Sequence, residues 1–209
     1  MLEPGVTITD YLLSLECAVF AWWCHRRQAT AHGWYTAFFI SLCLASLAGG
    51  TVHGFVPTGA WSEVLWSLVL LSIGATAVTM WGVSTTLGCS RPTARLVMHV
   101  VAVLAAIYGC LVLTCVREFW ITIAAYLPAA LCMSWVYVQH LRSPGPWAWG
   151  IAGVLMTFAA AGVQVARMPW HPPWFDHNAL YHVLQAMALC GIMRVAGIVV
   201  AGRGHAAGQ

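Results

Sequence analysis

The chain has 209 residues, of which 61% are hydrophobic and only 7% charged. A water-facing domain carries about 25% charged residues, so a soluble globule is excluded. The formal net charge of +3 is too small and too dispersed for a nucleic-acid partner. What remains is one integral membrane domain over residues 1–209.

A bilayer-spanning helix needs about 20 apolar residues. Seven runs meet that need, near 8–26, 34–56, 62–83, 94–115, 118–139, 147–166 and 177–199. The opening MLEPGVTITD holds Glu3 and Asp10 and no basic residue, so the first run reads as a retained span rather than a cleavable signal. Pro57-Thr58-Gly59 breaks the second run from the third, and the stretch from Gly88 to Pro92 breaks the third from the fourth. Arg117 and Glu118 alone mark the next boundary. A single helix over 94–139 would be about 69 Å long, twice the hydrocarbon thickness, so a break is required there. Ser143-Pro144-Gly145-Pro146, then Pro169 with Pro172-Pro173, set off the last two spans. The expected fold is therefore all-α, a bundle of seven transmembrane helices.

All nine basic residues are arginine, and their placement predicts the orientation. Arg26, Arg27, Arg91, Arg95, Arg142 and Arg203 fall in odd loops or the tail, with Arg194 near the same level; Arg117 and Arg167 fall on the other side. The N-terminus is predicted outside and the C-terminus in the cytoplasm. Trp22, Trp23, Trp34, Trp81, Trp135, Trp147 and Trp149 then form an inner aromatic belt, and Trp61, Trp120, Trp170 and Trp174 an outer one, with Trp66 deeper. The Lys-free, Ala- and Gly-rich make-up points to a bacterial cytoplasmic (inner) membrane. Eight cysteines with no CxxC spacing read as small core hydrophobes. Ser72, Thr76 and Thr79 are expected to bond to their own helix backbone.

Ionisable and polar side chains are costly in hydrocarbon, so each one inside a span is a candidate for function. His53, His177 and His182, with Glu16 and Ser46, fall in the half of the bilayer predicted to be outer. Ser46 precedes His53 by seven residues and shares its helix face, about 10 Å deeper. Three imidazoles from two helices are the ligand set of a catalytic zinc with one open position. Asn178, His182 and Gln185 share a face of the last helix. Asp176 precedes that helix and can cap it or orient a ligating histidine. His171 is a reserve ligand in the last outer loop, while His25, His32, His140 and His205 fall in loops or the tail. Gly49-Gly50 reads chiefly as a site of close helix approach.

Ser46, His53 and the run Asp176-His177-Asn178-Ala179-Leu180-Tyr181-His182 resemble the CREST superfamily of seven-helix membrane proteins, which includes alkaline ceramidases and adiponectin-type receptors. The resemblance is closest to a bacterial branch with an early Thr9-Asp10 and a stretch like Gly49-Gly50-Thr51-Val52-His53-Gly54-Phe55. It implies a zinc held by His53, His177 and His182, whose bound water hydrolyses an amide or ester bond of a membrane lipid. Glu16 or Asp176 would accept the proton, and Ser46 would donate to the oxyanion. This chain has Gly49 where that family's serine belongs, and its two late histidines stand five residues apart rather than four. Two other readings stay open. One is a non-catalytic receptor, transporter or assembly subunit whose polar cluster binds a ligand. The other is a haem-binding electron-transfer protein with His53 and His182 as axial ligands.

Overall fold

The computed structural model describes residues 1–27, 31–168, 171 and 175–201. Pro169, Trp170, Pro172, Pro173, Trp174, Arg203 and His205, used in the sequence reading, lie outside the described residues. The described chain forms seven helices: α1 (Pro4–Arg26), α2 (His32–Phe55), α3 (Ala60–Gly88), α4 (Arg91–Thr114), α5 (Phe119–Gln139), α6 (Trp147–Ala166) and α7 (His177–Ala201). Six of them, α2 to α7, are long and apolar enough to cross a membrane. The break expected between the fourth and fifth runs is present, with α4 ending at Thr114 and α5 starting at Phe119.

α1 is not among those six, because one of its faces is polar. It begins at Pro4, a full turn before the apolar run, since proline suits a first helical position whose N–H has no helical partner. Glu3, Asp10, Cys17 and Cys24 recur every seven residues and mark one stripe. Asp10, Cys17 and Cys24 are buried on it, whereas Leu12, Leu15, Val19 and Trp22 face outward.

α1, α2, α3, α5, α6 and α7 pack in that order into a closed ring, and α4 docks on α3 outside it. Only Val101 and Val112 of α4 are buried. Its seat on α3 is the Tyr108 ring, which covers Gly74 and donates a 2.8 Å hydrogen bond to the Leu70 carbonyl. Within the ring, one half of the bundle is a dry core around Tyr35, Phe38, Phe39, Met80, Met133, Leu189 and Ile192. There the Tyr35 and Tyr137 hydroxyls meet at 2.9 Å, so neither leaves a polar atom unpaired in the apolar interior. Thr76 and Thr79 bond back to the carbonyls of Ser72 and Thr76, the expected way for a hydroxyl to be satisfied inside a helix.

Glycine sets the closest contacts. A Cβ on Gly153 would stand 2.5 Å from the Ala188 carbonyl oxygen, and one on Gly191 would stand 2.5 Å from that of Trp149. α6 and α7 therefore touch backbone to backbone, which only residues without side chains permit. The other half of the ring, toward the N-terminus of α1, is less densely filled. That is where the polar residues collect.

Candidate functional site

α2 brings α1 close through Gly49, Gly50 and Gly54. A Cβ on Gly54 would meet Thr7 at 2.8 Å, and one on Gly50 would meet the Asp10 Cβ at 3.0 Å. The glycine pair thus does the packing expected of it, and what it admits is a carboxylate. Asp10 lies against Gly49, with Oδ2 3.2 Å from where a Cβ would be. Its other oxygen, Oδ1, lies 3.3 Å from Nε2 of His182 on α7, and both side chains are nearly closed to solvent, at 5% and 11% exposed.

Thr9 fixes the other nitrogen of His182. Its hydroxyl donates within α1 to the carbonyls of Gly5 and Val6, at 2.9 and 3.0 Å. The same hydroxyl lies 3.2 Å from His182 Nδ1. Thr9 and Asp10 thus bracket the imidazole, one at each ring nitrogen.

A second acid–imidazole pair lies one step nearer the helix ends. Glu3, at the N-terminus of α1, holds His53 Nδ1 of α2 at 2.7 Å, with the two side chains 49% and 24% exposed. Glu3 and Asp10 are seven residues apart, so the same face of α1 grips α2 at one level and α7 at another. α1 packs along both α2 and α7, which meet each other only lightly.

His53, Asp10 and His182 line one cavity of about 290 Å³. Ser46, Asn178 and Gln185 share its wall. The face-sharing read from helix spacing, Ser46 with His53 and Asn178 with His182 and Gln185, therefore holds. Across the cavity, Gln164 of α6 donates to Asn178 Oδ1 at 2.6 Å, tying α6 to the head of α7. Trp66 closes one side and gives its indole N–H to the Arg117 carbonyl at 2.9 Å.

The remaining expected residues stand elsewhere. Glu16 accepts a 3.1 Å bond from the Cys190 thiol on the α1–α7 seam and is not among the cavity-lining residues. Asp176 caps α7 by accepting the Ala179 N–H at 2.9 Å, the capping role foreseen for it. His177 starts α7 but does not line the cavity, because five residues turn it well away from His182. His171 pairs through its backbone with Phe175. Three residues central to the site, Asp10, Thr9 and Gln164, were not read as site residues. Thr9 and Asp10 entered the sequence reading only through the acidic opening and the resemblance, and the seven-residue spacing of Asp10 from Cys17 and Cys24 was the signal of an inward face.

These residues do not fit the expected three-histidine zinc. His177 is off the cavity, and both nitrogens of His182 have partners on α1. Among the described residues no group of three or more His, Cys, Asp and Glu is arranged to hold a metal ion.

A second, apolar pocket of about 460 Å³ lies between α5 and α6, walled by Ile123, Tyr126, Phe158 and Ala161. Leu42, Ile73, Phe119, Tyr181 and Gln185 line both spaces, so the two abut. Leu127 and Val165, 43% and 69% exposed, form the rim of the apolar pocket on the bundle's outer flank.

The model of a family of unknown function, DUF6962, matches residues 6–198. The chain belongs to the DUF6962 family. The match takes in α1 from Val6 onward and nearly all of α7, so Asp10, His53 and His182 of the cavity all fall inside it. No curated protein and no solved structure matches the chain.

Proposed function

We propose that this protein binds a membrane lipid or similar amphiphile, taking its polar end into the cavity of Asp10, His53 and His182. The observation that carries this reading is the junction of two unlike spaces. A small cavity with acid, imidazole and carboxamide walls abuts a larger apolar pocket whose rim faces the flank of the bundle. Ligand sites are mostly apolar concavities of about 300–1,000 Å³ with a few converging polar groups, and the joined spaces have that form. The arginine distribution supports placing this end of the bundle at the outer face of a bacterial inner membrane, with α1 as the seventh span.

The test is native mass spectrometry of protein extracted in mild detergent. Wild type retains a discrete bound amphiphile, and Ser46→Phe, which fills the cavity from α2, loses it. Identical retention by both forms assigns the bound lipid to the outer surface and overturns the reading.

A hydrolase acting on a lipid amide or ester is the second reading, in keeping with the CREST resemblance. It is favoured by Ser46, Asp10, His53 and His182 lining one space, where the Asp10–His182 pair can take a proton from a water or hydroxyl. The three-histidine zinc does not enter this reading. Incubation of the purified protein with membrane lipid extract tests it, by fatty-acid release that Asp10→Asn abolishes. Release unaffected by Asp10→Asn, or no release, removes the reading and leaves binding standing.

A further inference from the structure

Gln185 lies where the two spaces meet, and it is 3% exposed. Its Oε1 is closed off from solvent and has no hydrogen-bond partner within the protein. Gln164, which lines the polar cavity, carries a second such oxygen, its Nε2 being committed to Asn178. A buried acceptor left unpaired is costly, and most such atoms in folded proteins have partners. The side chain that borders both spaces therefore asks for a donor at the point where a ligand passes from polar to apolar surroundings.

The apolar pocket has room for a chain and is open at the flank of the bundle. Its walls come chiefly from α5 and α6, which pack less extensively than the other adjacent helices of the ring. Gly162 lies in this wall, and a Cβ there would have nothing within 4 Å. A larger side chain at Gly162 would thus occupy open space at the pocket wall without displacing either helix.

We infer that the joined spaces hold a single-chain amphiphile that carries an N–H or O–H donor at its head–tail junction, with that donor on Gln185 Oε1 and the chain between α5 and α6. This rests on the binding reading above and adds to it the class of ligand and the route of the chain. Carbonyl or ether junctions without a donor leave Oε1 unpaired, so they are discriminated against.

Two probes separate the parts of this inference: N-dodecylacetamide, which has an amide N–H, and N-methyl-N-dodecylacetamide, which lacks it. Their binding to full-length protein in detergent is measured by isothermal titration. Wild type binds the secondary amide about tenfold or more tightly than its methylated partner, the usual scale for an unpaired buried polar group. Gln185→Leu, an apolar replacement of similar volume, brings the ratio to about one. Gly162→Leu weakens both probes alike and leaves the ratio unchanged. Equal binding of the two probes by wild type overturns the donor assignment, while loss in Gly162→Leu still upholds the pocket. Undiminished binding in Gly162→Leu overturns the α5–α6 route. Binding of neither probe, with a bound amphiphile still found by native mass spectrometry, overturns the inference and spares the reading beneath it.

Discussion

Two acid–imidazole pairs of the same chemistry sit at different depths, and their energetic coupling should differ accordingly. Asp10 and His182 are 5% and 11% exposed, whereas Glu3 and His53 are 49% and 24% exposed. Removing one partner of the buried pair leaves the other without its hydrogen-bonding group inside the bundle, a loss of about 1–3 kcal/mol for each single change. Removing both leaves nothing unpaired. For Asp10→Ala and His182→Ala, the double variant should therefore be less destabilised than the sum of the singles by about 1–3 kcal/mol. For Glu3→Ala and His53→Ala, solvent re-solvates whichever group remains, and the coupling should be about 0.2–1 kcal/mol. The shorter contact, 2.7 Å against 3.3 Å, belongs to the pair with the smaller expected coupling, so burial rather than distance decides the order. The assay is equilibrium unfolding of all seven proteins in mixed micelles. An Asp10–His182 cycle additive within about 0.5 kcal/mol, or the reverse order of the two cycles, refutes the reasoning.

Gly153→Ala pushes a methyl to 2.5 Å from the Ala188 carbonyl oxygen. It should lower stability by about 1–3 kcal/mol, while Gly162→Ala, with open space around it, should change thermal stability little; melting temperatures in detergent compare them. Glu16→Gln keeps an acceptor for the Cys190 thiol and lies off the cavity. It should leave amphiphile retention by native mass spectrometry at the wild-type level.

Much of the architecture was legible because hydrocarbon imposes a simple rule. Apolar runs of span length, cut by proline and glycine, located all seven helices to within about five residues at each end. α1 differs from the others in composition, since Asp10, Glu16 and several hydroxyls interrupt its apolar run. On α2 and α7, residue spacing correctly put Ser46 with His53 and His182 with Gln185, because a helical face follows from the 3.6-residue repeat alone. The association of α1 with both helices did not follow from any repeat. It depends on Gly49, Gly50 and Gly54 opening room for Asp10 and Thr7, a fit between surfaces distant in sequence. His177 starts α7 but does not line the cavity, because a place along a helix does not fix the direction around it.

The joined polar and apolar spaces as a ligand site are tested most directly by anomalous diffraction from crystals grown with a chain-brominated lysolipid. The account predicts bromine signal inside the ring, between α5 and α6 beside Phe158 and Tyr126. Signal confined to the outer surfaces of the helices, such as the exposed face of α4, would contradict it.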